Sequence, residues 1–90
     1  MSRSRSLYNR ARVKVRVKLH GETKRGVPGL VGDYVEASVP AGITVTEALR
    51  HIGVDLSEVW LSAVNSHLVK GDHHLKDGDS IEIFAPVAGG

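Results

Sequence analysis

Cysteine is absent from the 90-residue sequence. That absence excludes disulfides, a zinc-thiolate site and a nucleophilic thiol, and it points to a reducing, cytoplasmic setting. No apolar run approaches the roughly 20 residues that a membrane helix needs, and Met1 is not followed by a signal-peptide core. The chain therefore reads as soluble, with no membrane partner. Aromatic residues make up only 4% of it, too few to supply stacking platforms for nucleic-acid bases. A chain this short buries a little over ~60% of its unfolded surface, enough for one thin core and too little for a deep enzyme cleft. Any chemistry it takes part in then needs a larger partner.

What is present is an ordinary globular composition, 41% apolar and 24% charged, with an uneven distribution of charge. Residues 1–12 carry Arg3, Arg5, Arg10 and Arg12 and no acid, and read as a disordered basic arm. Setting aside those four positive charges turns the formal net charge from +2 to −2, so the remainder is mildly acidic. A basic arm without a basic face behind it is a solvated tail rather than a nucleic-acid site.

From Val13 the pattern changes. Val13, Val15, Val17 and Leu19 alternate with Lys14, Arg16 and Lys18, the signature of a strand with one wet face. His20 to Asp33 is glycine-rich and reads as a long loop anchored by Val27, Leu30 and Val31. Tyr34 to Val39 resumes the alternation and is expected to pair back on the first strand, with Pro40-Ala41-Gly42 as its stop. Thr44 and Glu47 stand at capping-box spacing, and Val45, Ala48, Leu49 and Ile52 form one apolar stripe, so a short helix starts here and ends at Gly53. Val59 to Asn65 is predicted as a strand, Ser66 to Val69 as a short return strand, and Lys70 to Lys76 as a polar loop. The pattern leaves open which face Trp60 occupies.

Asp77-Gly78 signals a tight turn, and Ile81 and Ile83 alternate with polar neighbours in the strand that follows. If the isoleucines face the helix, Glu82 and Phe84 lie on the opposite, wet face. Pro86 then removes the backbone donor that further pairing would use, and the sequence closes on Val87-Ala88-Gly89-Gly90. Residues 85–90 read as a flexible tail that spans about 20 Å when extended, following a body at residues 13–84. Glycines without Cβ suit insertion of such a tail into a narrow channel.

Turn, strand, proline and diglycine in this order resemble the ending of the MoaD/ThiS family of ubiquitin-like sulfur carriers. Pro86-Val87-Ala88-Gly89-Gly90 looks most like the ending of that family's molybdopterin-synthase small-subunit branch. The element order ββαβββ gives an α+β layout, one sheet with a helix across one face. The resemblance, which extends from Val13 to Gly90, implies more: a β-grasp fold, a mixed sheet of four to five strands with one main helix, and the last strand central beside the first. Two features depart from the family pattern, the arginine arm and Asn65-Ser66 where Asn-Gly is expected.

The resemblance also implies a function without an active site of its own. An E1-like adenylyltransferase (MoeB/ThiF-like) would use ATP to adenylate the Gly90 carboxylate, and a sulfur donor protein would convert it to a thiocarboxylate. The tail, Pro86 through Gly90, would carry that sulfur into the large subunit of molybdopterin synthase. No cofactor would be bound permanently. Phe84 and Glu82, just before the tail, are the expected partner-binding residues, Phe84 as an exposed aromatic anchor and Glu82 as an acid docking a basic groove. A sulfur carrier for thiamine thiazole, a ubiquitin-like protein modifier and a plain interaction module remain as alternatives. Residues 20–33 and Pro86 favour the molybdopterin branch. His73-His74, with His20, His51 and His67, lack metal-ligand spacing and read as solvated.

Overall fold

Alternating burial along the first strand decides how the layers stack. The computed structural model describes residues 12–86. Its strand β1, Arg12–Leu19, buries Val15, Val17 and Leu19 and turns Lys14, Arg16 and Lys18 outward, as period-two patterning requires. It starts at Arg12, so that residue is part of the sheet and not of the arm. Strand β2, Tyr34–Pro40, pairs with it antiparallel from Arg12↔Pro40 to Lys18↔Tyr34.

Helix α1, Val45–Ile52, lies across the inner face with Val45, Ala48, Leu49 and Ile52 all buried. Eight residues are too few to hold a helix in water, so this stripe and its caps supply the stability. The Thr44 hydroxyl accepts from the Glu47 N–H at 3.2 Å, and the Thr44 N–H donates to Glu47 Oε1 at 2.9 Å, the reciprocal pair expected from the sequence. Two further orphan donors of the first turn are met from elsewhere. Val45 N–H donates to the His73 carbonyl and Thr46 N–H to the Gly71 carbonyl, each at 2.9 Å. The segment read as a polar loop, Lys70 to Lys76, is thus a cap for the helix, and it is pinned by Leu75, which is only 2% exposed. At the other end Gly53 adopts φ 94°, left-handed, and ends the helix as predicted.

Strand β3, Leu61–Val64, and strand β4, His67–Val69, form a hairpin, and strand β5, Ser80–Phe84, closes the sheet. The sheet order is β2-β1-β5-β3-β4, with β5 parallel to β1 and antiparallel to β3. The last strand is therefore central and beside the first, as the resemblance implies. Between β3 and β4, Asn65 and Ser66 both take positive φ, 51° and 74°, so Asn-Ser does the work of Asn-Gly in a tight hairpin.

Two local expectations are corrected and one open question is answered. β3 does not begin at Val59: a short 3-10 helix, Leu56–Glu58, capped by Asp55, occupies the approach and turns the chain onto the sheet only at Leu61. Trp60, whose face the pattern left open, is 60% exposed. Val31 is no anchor, being 80% exposed, whereas Val27 is buried and Leu30 packs against the core. The loop also contains a 3-10 helix, Gly21–Lys24, with Thr23 fully buried. Among the described residues no helix is long and apolar enough to cross a membrane, and no group of His, Cys, Asp or Glu is arranged to hold a metal ion. His74 instead donates from Nδ1 to the Gly42 carbonyl at 2.6 Å.

Candidate functional site

The functional candidate is the end of β5, where a central strand hands over to the C-terminal segment. Ile81 and Ile83 are essentially unexposed, so the strand is anchored in the core up to the residue before Phe84. Glu82 and Phe84 then lie on the outer face, the alternation expected from the sequence. Ala85 is half-buried and Pro86 exposed. The predicted tail residues Val87, Ala88, Gly89 and Gly90 lie outside the described residues.

The root of this segment is held from both sides. On the β3 side, Leu61 is the register partner of Phe84, and the Trp60 N–H donates to the Phe84 carbonyl at 2.7 Å. On the β1 side, the His20 N–H donates to the Ile83 carbonyl at 3.0 Å, continuing the parallel ladder one residue past Leu19. Because Leu19 points inward, His20 points outward, onto the face that carries Glu82 and Phe84. Its imidazole stacks on the Phe84 ring with centroids 4.7 Å apart and planes 3° from parallel. Its Nε2 donates to Glu82 Oε2 at 2.6 Å.

Phe84 is accordingly half-buried, not the wet aromatic that alternation alone predicts, and its cover is an imidazole rather than a lysine or arginine stem. Those stems have another partner. Arg16 lies 4.2 Å and Lys18 5.7 Å from the centroid of the Tyr34 ring, which occupies the start of β2. Glu82 is also less free than expected. Its carboxylate is engaged by His20, and Lys18 is its register partner on β1. Around it the outer face carries Lys14, Arg16 and Lys18 against Glu36 and Glu82, so the acidic balance of the body is not repeated here. An apolar margin completes the face: Leu68 is 68% exposed and sits opposite Ala63 in the hairpin.

His20 is the site residue that sequence reasoning missed. It stands one position past the last alternating residue and, by sequence, reads as the first residue of the loop. Counting the strand's period forward by one residue puts its side chain on the outer face, and that is the signal that finds it. Nearby, the Lys24 ammonium bonds Asp33 Oδ1 at 2.9 Å and holds the Asp33 carboxyl below its ordinary range. The same aspartate's carbonyl accepts from the Leu19 N–H at 2.8 Å, which fixes the loop against the end of β1.

Among the described residues the one imidazole–carboxylate pair here, His20 with Glu82, lies on the open outer face of the sheet and not in an enclosed cleft. The arrangement is a platform: a rigid strand end with an aromatic and a carboxylate beside it, followed by Ala85 and Pro86. The chain is similar to known proteins in sequence and in fold. The model described as the ThiS family matches residues 21–90. The molybdopterin synthase sulfur carrier subunit of Escherichia coli (strain K12) is 41% identical over 61 aligned residues, covering 58% of this chain and 75% of that one. Among solved structures, one from Pyrococcus furiosus designated a molybdopterin converting factor, subunit 1, superposes with a TM-score of 0.61 at 30% identity, covering 83% of this chain and 99% of that one. SAMP1 from Haloferax volcanii superposes with a TM-score of 0.63 at 20% identity, over 86% of this chain and 99% of the other, and shares the fold.

Proposed function

The chain belongs to the ThiS family, and from that membership we propose that it is a sulfur carrier for molybdopterin biosynthesis, the small subunit of a molybdopterin synthase. The observation that carries this reading is the 41% identity to the Escherichia coli sulfur carrier subunit, three quarters of which this chain covers. The ubiquitin-like architecture and the central position of β5 support it. A strand bonded on both sides gives a rigid base for the segment that follows it.

In this reading the reacting group is the Gly90 carboxylate. A carboxylate does not exchange oxygen for sulfur until one oxygen becomes a good leaving group. Attack of the carboxylate on the α-phosphate of ATP, in the site of an E1-like adenylyltransferase, expels pyrophosphate and gives an acyl-adenylate. The outer sulfur of a persulfide on a donor protein then displaces AMP, and a thiol cleaves the resulting acyl disulfide, leaving the thiocarboxylate and a disulfide. In the large subunit the sulfur passes to the molybdopterin precursor, and hydrolysis returns the carboxylate. The carrier holds no permanent cofactor and no catalytic centre, and ATP is consumed by its activating partner. Pro86, Val87, Ala88 and Gly89 form the part of the tail that enters the partner. Phe84, with Glu82, meets the partner's surface where the tail emerges.

Intact-mass measurement after incubation with ATP, the adenylyltransferase and a sulfur donor tests this. The natural chain should gain the mass of one oxygen-to-sulfur exchange, while a chain lacking Gly90 or extended by one residue should fold equally well and gain nothing. The same gain on the extended chain would overturn the assignment of Gly90.

A further inference from the structure

We propose that His20 is a positioning residue that clamps the last residues of β5 and so fixes both the Phe84 ring and the direction in which the tail leaves. This rests on the carrier reading above. The clamp has four contacts, three from His20 and one from its neighbour Gly21. The His20 backbone N–H holds the Ile83 carbonyl at 3.0 Å. Its imidazole bridges Glu82 and Phe84, two positions apart on the same face, by a 2.6 Å hydrogen bond to one and a stack at 4.7 Å on the other. Gly21, next in the chain, turns with φ +57° against Ala85, so close that a Cβ at Gly21 would stand 3.3 Å from Ala85 Cβ. The successive residues Glu82 to Ala85 are thereby gripped by His20 and Gly21 immediately before Pro86.

His20 is itself tied down by its own backbone, which a clamp requires. Its carbonyl accepts from the Thr23 N–H at 3.2 Å and from the Thr23 hydroxyl at 2.5 Å, and Thr23 is fully buried. The imidazole's own contacts, with Glu82 and Phe84, lie on the outer face of the sheet and not in the hydrophobic core. Loss of the imidazole therefore leaves the sheet intact and frees the Phe84 ring and the Ala85 backbone. Presenting a pre-ordered aromatic to a partner spares the entropy of ordering it on contact. The clamp thus acts on recognition of the carrier and not on the adenylation chemistry.

The test compares the natural chain with His20→Ala, His20→Gln, which keeps a donor for Glu82, and His20→Phe, which keeps a ring for Phe84. Relaxation of the Phe84 ring and of the Ala85 backbone in each free protein is the first measurement and needs no partner. Order parameters at Phe84 and Ala85 should fall in the alanine variant, stay at their natural values at Ala63 and Val64, and recover in part in each conservative variant. Steady-state charging by the adenylyltransferase is the second. His20→Ala should raise the KM for the carrier roughly 2- to 10-fold, the scale of ordering one side chain on binding, with kcat unchanged. Unchanged order parameters at Phe84 and Ala85 would overturn the clamp whatever happens to charging. A lowered kcat at constant KM would also overturn it. Failure of the natural chain to be charged at all would refute the carrier reading, and the relaxation measurement would still decide the clamp.

Discussion

Asp79 ties together three segments at the start of β5, and replacing it by alanine measures what holds that strand in register. The residue is only 8% exposed. Its Oδ1 accepts from Asn65 Nδ2 at 2.9 Å and its Oδ2 from the Lys76 N–H at 2.7 Å. The Asn65 side chain in turn accepts from the Ser80 N–H at 3.0 Å, so the β3–β4 turn, the Lys76–Asp79 turn and the first residue of β5 share one network. Hydrogen bonds to a charged group contribute roughly 1.5–3 kcal/mol each. Asn65 and Lys76 are exposed, so water reaches the freed donors and the loss falls short of the full sum. We expect Asp79→Ala to cost about 2–3 kcal/mol, a sizeable part of the 5–15 kcal/mol typical of a domain. In a domain this small that corresponds to a Tm lower by about 10–20 °C. Urea unfolding with linear extrapolation is the assay, supported by calorimetry. Asp79→Asn, which keeps one acceptor oxygen, should lose about half as much, and a double-mutant cycle with Asn65→Ala should show coupling of about 1 kcal/mol. A loss below about 0.5 kcal/mol with no coupling would refute the idea that this network sets the register of β5.

Two further outcomes follow from the same structure. Ser66→Gly should stabilise the chain by about 0.5–1 kcal/mol, because Ser66 sits at φ 74° and the left-handed cost exceeds glycine's loss of chain entropy; a lower urea midpoint would contradict this. Asp33, Glu47 and Asp55 all have carboxyls below their ordinary values, from the Lys24 hydrogen bond, the Thr44 backbone N–H and the Ser57 hydroxyl respectively. Each binds fewer protons folded than unfolded, so its contribution is present at neutral pH and is lost as pH falls. The urea midpoint should therefore drop as pH falls through 4.5 and 3.8, the unperturbed values, and on down through the lowered ones. Glu47→Gln should make that decline shallower, and an identical decline in the variant would show that the cap carries none of it.

The amino-acid sequence by itself determined the elements whose causes are local. β1 and β5 follow from apolar alternation, α1 from one apolar stripe between a capping box and a left-handed glycine, and the hairpin turn from Asn65, a residue that tolerates positive φ. These depend on neighbours within one or two turns of chain, so pattern and propensity suffice. The central placement of β5 beside β1 comes from resemblance, because periodicity carries no information on which strands pair, and that the two run parallel is seen only in the structure. What the tertiary structure alone decided are contacts between residues far apart in sequence. Lys70 to Lys76 reads as a polar loop until the carbonyls of Gly71 and His73 are seen on the donors of Val45 and Thr46. Val59 and Trp60 read as strand until the short 3-10 helix before them is seen to delay entry to the sheet. Phe84 reads as a wet aromatic until His20, 64 residues earlier, covers it. Alternation states the face a side chain takes. Only the register of β1 against β5 states which neighbour waits there, because a shift of pairing by two residues would keep every face and exchange every partner.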